Sequence, residues 1–323
     1  MPNLVTHYLM AKGVEQELPP SLQRLIQQQP KDFVLGTMGP DIFFYYHIFP
    51  WDNARKAERI HDIGNQIHEQ HINHFFADFL SQVKKQQSQP AVISYALGFL
   101  CHFALDLTAH PYIYARTQTR EQPDDLYEHR ALESHIDGIF IQALQRTHQL
   151  SPSFKAYSLV HFSKAQAQLL AELYQPVLAK VYRQSCSLAK FQTMLTDCYT
   201  VQRLLYDPNN WKRGLAKTIE RHFHCQLDAL SIMIPIHQWD AVDILNLKHT
   251  PWQHPVTGEW QTDSMIDLFS QSIEEAKRLI QLFVAYLKDE QPLMAVLAAI
   301  QHRSFDTGIN WRQEMHYFKD DRQ

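Results

Sequence analysis

Glycine is scarce in this sequence, with nine residues in 323, which is under half the ~7% usual in proteins. Because hairpins and tight loops depend on glycine, this scarcity predicts a mostly helical chain. Long apolar runs are also missing, since none approaches the ~18 residues needed to span a bilayer. The nearest candidate, residues 91–104, is interrupted by polar residues and glycine, and it therefore predicts a buried helix.

The sequence also lacks an excess of basic charge. Thirty Lys and Arg residues against 34 Asp and Glu give a formal net charge of −4, which argues against duplex nucleic acid as a partner. The four cysteines form no C-x-x-C pair, so no cysteine zinc motif is present and a reducing compartment is favoured. The first residues contain no recognisable secretory signal. We therefore expect a cytoplasmic protein, with signal-independent export left open.

Histidine, by contrast, is abundant. The chain has 19 histidines, and ten of them fall in the first 135 positions within apolar, helical patterns. Neutral imidazole is the commonest metal ligand in proteins. A metal site is therefore the first hypothesis that the composition suggests.

Apolar residues recur at helical spacing through most of the chain. The spacing predicts one helix or a pair over 60–80, and a buried central helix over 93–114 that stops or kinks near Pro111. Further helices are predicted over 126–144, 158–172, 175–184, 191–206, 211–230 and 264–287, the last capped by Asp263 or Ser264. A stretch rich in Pro and Trp, 235–262, predicts an ordered loop.

No internal repeat, flexible linker or long charge block divides the chain. We expect an all-α fold made of a single multi-helix domain with a helical C-terminal extension. Residues 1–150 would form a helical metal-binding core, and residues 151–323 a helical part packed on that core in the same domain.

Three residues with ligand-type side chains follow one another on the predicted central helix, as His102-x3-Asp106-x3-His110. Positions i, i+4 and i+8 drift by only ~80° around the helix axis, so these side chains share one face. An unpartnered buried Asp is costly, and a bound metal removes that cost. The outer histidines lie ~12 Å apart, too far for one zinc ion, so the pattern predicts two or more ions with Asp106 between them.

A second pattern, His129-x3-Glu133, offers two ligands to one metal from a single helical face. His135 and Asp137 lie nearby, and we place them on other faces of this helix. Alone, such a pair is more typical of a solvated helix face, and the His102 triple alone is more typical of a satisfied core network.

A third pattern, Gly39-Pro40-Asp41, is a turn that presents a carboxylate just before a run rich in aromatic residues at 43–51. That run could line a site for acyl chains or a cationic head group. Core packing is the other explanation of the same residues.

Taken together, these patterns resemble the bacterial zinc-dependent phospholipase C family, all-helical hydrolases with a three-metal cluster. The likeness covers most of the chain, and its metal motifs are more specific than its C-terminal ones. The matching pieces are Thr6-His7-Tyr8, Gly39-Pro40-Asp41, Gly64-x3-His68, Gly98-x3-His102, Asp106, His110-Pro111, His129-x3-Glu133, Asn246-Leu247, Trp252 and Phe305-Asp306-Thr307-Gly308.

The resemblance implies two to three zinc ions. The first implied site is Asp41 with a histidine of the 61–68 segment, His102 and Asp106. The second is His110 with His129 and Glu133. The third is His7 with Asp106 and amino-terminal backbone atoms. For the histidine beside Asp41, we favour His68 over His61 and His47, because His68 has the family's G-x-x-x-H context. The third site is altered, or Met1 is removed, because His7 lies only six residues from Met1.

The implied activity is phospholipase C. Metal-bound hydroxide would attack phosphorus and release diacylglycerol and the phosphorylated head group, with Asp41 as both metal ligand and catalytic proton acceptor. The expected partners are a phospholipid or another phosphodiester and, transiently, a membrane surface. Two alternatives stay open: a zinc-dependent nuclease or phosphoesterase, since fungal single-strand nucleases share this cluster, and a non-catalytic metal-binding interaction protein.

Overall fold

A computed structural model describes residues 4–49, 51–119, 126–207, 211–215, 218 and 243–318. Over these residues the fold is all-α, which confirms the predicted fold class. The α-helices are α1 (Leu4–Glu17), α2 (Pro20–Gln28), α3 (Pro30–Thr37), α4 (Ala54–Glu69), α5 (Ile72–Lys85), α6 (Pro90–Thr117), α7 (Leu126–Arg146), α8 (Lys164–Val177), α9 (Leu188–Leu205), α10 (Met265–Leu287) and α11 (Leu293–Ile300).

Shorter elements complete the described part of the chain. There are 3-10 helices at Gly39–Tyr45 and Ala156–Ser158, and a π-helical turn at Leu178–Tyr182 continues α8. Two short strands, β1 (Trp252–Gln253) and β2 (Trp260–Gln261), pair antiparallel. They lie in the predicted 235–262 loop, whose residues before 243 are outside the described ranges.

Helix α6 is the centre of the fold. It is apolar on nearly every side, as expected of a helix that is surrounded by others. By length and hydropathy it could cross a membrane, but 89% of its most apolar window is buried inside the protein. Helices α3 and α10 make its most extensive contacts, so residues from both ends of the chain cover it.

Several observed helix ends differ from the predicted ones, and two of these differences have a clear physical reason. Helix α6 continues for six residues past Pro111, and the carbonyl of Leu107, which proline leaves without its usual partner, lies against the backbone of Gly308. Helix α8 begins at Lys164 and not at 158, because Ser163 caps it and Gln166 completes a capping box.

Other predicted helices have simple outcomes. The 60–80 segment is a pair, α4 and α5, separated at His71 by a left-handed backbone conformation with φ of 55°. Of the helix predicted over 211–230, residues 211–215 and 218 are helical, and the others lie outside the described residues. Ser264 caps α10 as expected. Helices α1 to α3 and α11 have no counterpart among the predictions.

Residues on both sides of position 150 contribute to one hydrophobic core. Helix α10 packs on α6 and α1, and α8 packs on α5. The division of the chain into 1–150 and 151–323 stays a prediction, because a shared core does not define a boundary.

Helices α3 and α6 cross with their backbones in contact. A Cβ atom at Gly36 would lie 2.1 Å from the carbonyl oxygen of Tyr95, and one at Gly98 would lie 2.2 Å from the carbonyl oxygen of Phe33. Only glycine fits at these two positions. One turn after Gly98, the His102 ring donates from Nδ1 to the carbonyl of Thr37 at 3.1 Å. The close crossing therefore sets the position of a ring in the candidate site.

Because the backbones cannot separate without loss of packing, Gly98→Ala is expected to lower the free energy of unfolding by about 1–3 kcal/mol. Gly214→Ala is the matched control, since nothing lies within 4 Å of the added methyl group and alanine favours a helix. Urea denaturation measures both variants. Equal stability losses in the two would contradict the steric role of the crossing.

Candidate metal centre

The three ligand-type side chains of α6 lie within the protein core. His102, Asp106 and His110 are all buried, and Asp106 stands between the two histidines. Its Oδ2 lies 2.8 Å from Nε2 of His102, and its Oδ1 lies 3.6 Å from Nε2 of His110. The helix thus presents one carboxylate that faces an imidazole on each side, as the i, i+4, i+8 spacing predicts.

The first group of ligand-type atoms joins Asp41 and His68 to His102. The 3-10 helix reaches His102 because Gly39 has φ of 50° and no side chain; a Cβ there would lie 2.1 Å from the His102 ring. Asp41 follows two residues later, and its Oδ1 lies 3.2 Å from Nε2 of His68. The other ring nitrogen of His68 donates to the Gly64 carbonyl at 2.8 Å, which fixes the ring.

The structure shows which of the three candidate histidines lies beside Asp41. His68 lies beside Asp41. His61 instead directs Nε2 to the carbonyl of Tyr46 at 3.0 Å, and His47 forms a half-exposed group with Asp52 and Asp197. Of the three, His68 is the one that the fold brings to Asp41, in agreement with the sequence preference.

The second group consists of His110, His129 and Glu133. Oε1 of Glu133 lies 3.3 Å from Nε2 of His110 and 3.1 Å from Nε2 of His129. Nδ1 of His110 donates to the carbonyl of Phe305 at 2.9 Å. A carbonyl from the C-terminal part of the chain therefore orients this ligand ring, which is the usual function of a hydrogen bond behind a metal-binding histidine.

The third group combines His7 with His102 and Asp106. Nε2 of His7 lies 3.1 Å from Oδ1 of Asp106, and the His7 ring stacks on the His102 ring with centroids 4.3 Å apart. All eight residues predicted as ligands therefore lie in these groups. Their role as ligands stays a prediction.

Asp137 holds the start of α1 in place. Its carboxylate accepts hydrogen bonds from the backbone amides of Val5 and Thr6 at 3.0 and 2.8 Å, as a cap supplied by another helix. The expectation that Asp137 lies on another face of α7 was wrong. It stands at i+8 from His129 and i+4 from Glu133, the same stripe spacing as on α6, and this periodicity could have identified it.

The geometry of these groups fits zinc. At zinc–ligand bonds of about 2.0–2.1 Å, two ligand atoms on one tetrahedral ion lie about 3.4 Å apart, and the facing atoms here are 3.1–3.3 Å apart in four pairs. Within the described ranges, four of these buried atoms have no hydrogen-bond partner: Oδ1 of Asp41, Nε2 of His68, Nε2 of His102 and Oδ2 of Asp106. Buried polar atoms left in this way are the ones that an ion would satisfy.

The electrostatics of the groups agree with this interpretation. Burial raises the pKa of the Asp106 carboxyl, but the charges of His102, His110 and His7 outweigh it and lower that pKa well below the usual value. Burial lowers the pKa of His68, yet the contact with Asp41 outweighs it and raises that pKa to about 9. Without metal, Asp106 is therefore held ionised and His68 keeps its proton near neutral pH. A metal ion bound at His68 would displace that proton.

A cavity of about 490 Å³ opens beside the second group and includes His129 in its wall. Its described lining has acidic side chains at Glu69, Asp306 and Glu314 and no Lys or Arg. Tyr114 contributes an aromatic wall, and its hydroxyl donates to Asp306 at 3.2 Å. The cavity gives a ligand direct access to the second group.

Comparisons with known proteins give one match. A family model described as zinc dependent phospholipase C matches residues 6–182, a span that contains all eight predicted ligands. No curated protein and no solved structure matches the chain.

Asp137→Ala is expected to reduce the metal content of the zinc-loaded protein by loss of the ion at His7, because α1 loses its anchor. Stability should fall by about 1–3 kcal/mol. Asp32→Ala is the control: its buried carboxylate accepts from Gln166 at 2.9 Å, so it should cost stability without loss of metal. Metal analysis per chain decides between them, and an unchanged metal content in Asp137→Ala would contradict the anchoring role.

Proposed function

Since the chain belongs to the zinc-dependent phospholipase C family, we propose that it hydrolyses phosphodiesters, with phospholipids cleaved to diacylglycerol and the phosphorylated head group. The observation that carries this proposal is the presence of three buried groups of imidazoles and carboxylates, from each of which at least one imidazole faces Asp106. We propose two to three zinc ions, held by Asp41, His68, His102 and Asp106; by His110, His129 and Glu133; and by His7 with Asp106.

Bound zinc would supply an activated water and polarise the phosphoryl oxygens. Asp41 is our candidate for the proton acceptor. It lies on a 3-10 turn at the edge of the cluster, its side chain is 10% exposed, and its Oδ1 has no hydrogen-bond partner among the described residues. His102 and His110 are instead fixed by backbone carbonyls at their second ring nitrogens, which suits ligands more than proton carriers.

We propose that the cavity beside His129 receives the head group. The cavity wall contains the carboxylates of Glu69, Asp306 and Glu314 and the aromatic ring of Tyr114. Such a lining favours a cationic group, since aromatic faces and carboxylates both attract cations. A choline or ethanolamine head group has the required charge.

The test uses zinc-loaded protein with phosphatidylcholine and with bis(p-nitrophenyl) phosphate. We expect turnover of the lipid, and we expect Asp41→Asn to reduce kcat by about 10²–10⁴-fold because it cannot accept the proton. Asp62→Asn, an exposed aspartate on α4, should leave kcat unchanged. Turnover of the simple diester without lipid turnover would indicate a nuclease or phosphoesterase, and inactivity on both with metal bound would indicate an interaction protein.

We also propose a transient membrane contact through Trp51. Its side chain is 77% exposed and stacks on Phe49 with ring centroids 5.0 Å apart, shortly after the turn that carries Asp41. Phe43 and Tyr45, from the same aromatic run, are buried in the core, so for these two the core-packing explanation is correct. An exposed tryptophan near a site is typical of a residue that enters a lipid interface.

Trp51→Ala is expected to reduce turnover of phosphatidylcholine vesicles by roughly tenfold, equivalent to about 1.4 kcal/mol of interfacial binding. Turnover of a soluble short-chain lipid should stay the same, because Trp51 lies outside the metal groups. Trp260→Ala removes another exposed tryptophan, 61% accessible, and serves as the control. An equal effect on vesicles and soluble lipid, or the same effect from the control, would contradict the proposal.

A further inference from the structure

Arg130 is a half-buried arginine with unsatisfied hydrogen-bonding capacity. It lies on α7 between two members of the second group, His129 and Glu133. Among the described residues its buried Nε has no hydrogen-bond partner, and no carboxylate lies within 4.0 Å of the guanidinium, the limit for an ion pair. A buried donor without a partner is costly, and a ligand that accepts its hydrogen bond would remove that cost.

Arg130 lies beside the second metal group, because it follows His129 directly on α7 and precedes Glu133 by three residues. Burial lowers the pKa of its guanidinium, and the groups that oppose this effect are Glu133, Tyr45 and Asp41. Glu133 belongs to the second group and Asp41 to the first. Its charge also contributes to the lowered pKa of His61, which is due first to burial. The charge of Arg130 thus acts on a carboxylate of each group, and no described carboxylate is paired with it.

The two carboxylates that act on Arg130, those of Asp41 and Glu133, each direct one oxygen to an imidazole and form no ion pair with Arg130. Oε1 of Glu133 faces the rings of His110 and His129, and Oδ1 of Asp41 faces His68. Other described arginines show the usual alternative: Arg278 and Arg303 both pair with Glu275. Among the residues that the structure describes, none pairs with Arg130, so its charge is available for a ligand.

We propose that Arg130 is an oxyanion-binding residue of the site, which takes a phosphate oxygen of the substrate. This inference rests on the proposed function. A guanidinium presents a planar fork of donors that matches two phosphate oxygens, and its charge does not titrate in the physiological range. The scissile phosphate is the source that the location favours, because Arg130 is the neighbour in the chain of His129, a predicted ligand of the second group. The acidic lining of the cavity beside His129 does not suit an anionic head group.

The test compares Arg130→Gln and Arg130→Lys with the wild type, all zinc-loaded. Calorimetry with inorganic phosphate should show a dissociation constant about 10- to 100-fold weaker for Arg130→Gln, the loss typical of a charge-assisted hydrogen bond, and a partial recovery for Arg130→Lys. Arg146→Gln is the matched control, because it removes the same charge from the exposed last turn of the same helix, and it should bind phosphate as the wild type does.

Kinetics then identify the source of the oxyanion. If Arg130 binds the scissile phosphate, Arg130→Gln lowers kcat/KM equally for phosphatidylcholine and phosphatidylinositol 4-phosphate. If it binds a head-group phosphate, only the second lipid is affected. Unchanged phosphate binding with unchanged kcat/KM would overturn the proposal, and so would a loss of zinc from Arg130→Gln, which would assign Arg130 to support of the ligands.

These results are separable from a failure of the proposed function. A wild-type protein that binds zinc but cleaves no phosphodiester would contradict that function. The phosphate-binding comparison would still decide whether Arg130 holds an oxyanion.

Discussion

The fold depends on one buried carboxylate, that of Asp106, which is 1% exposed. Its two oxygens face four imidazoles: His7 and His110 on Oδ1, His68 and His102 on Oδ2, at 2.8–3.8 Å. An ionised carboxylate in the core is unfavourable unless its charge is compensated. The compensating rings come from α1, α4 and α6, so the position of Asp106 requires three separate helices to meet. The apolar packing around these helices holds them at the positions where their imidazoles reach Asp106.

Several contacts far from Asp106 meet this requirement. The glycine crossing of α3 and α6 puts the Thr37 carbonyl against His102, and Asp137 fixes α1. The C-terminal segment joins the same centre, because the amide of Phe305 donates to the carbonyl of His68 at 3.1 Å while its own carbonyl accepts from His110. Backbone groups from distant parts of the chain thus orient the ligand rings, which explains why residues beyond the family match at 6–182 still shape the site.

Local spacing was sufficient to predict part of this structure. The periodicity of 93–114 and 126–144 gave the two ligand-bearing helices, and the 102/106/110 spacing gave one shared face. What local spacing cannot predict is which helix faces which, so the union of Asp41, His68 and His7 with α6 came from the family resemblance. The helix does not stop at Pro111, because the cost of one lost hydrogen bond is smaller than the packing gained by four more buried residues. The i+4 and i+8 spacing of Asp137 from Glu133 and His129 could have identified it from the sequence. No spacing identifies Arg130, because its importance follows from the absence of a hydrogen-bond partner for Nε among the described residues.

The balance of charge links the site to its substrate. The chain as a whole is acidic, at −4, and the cavity beside His129 is acidic as well. Within the metal groups, however, three carboxylates, Asp41, Asp106 and Glu133, face neutral or protonated imidazoles. Two divalent ions would already exceed their charge, and Arg130 adds to the excess. The loaded centre would therefore attract a phosphate locally while the surrounding surface repels polyanions. Under the proposed function, this combination favours a substrate that carries one phosphate beside a cationic head group over a long nucleic acid strand.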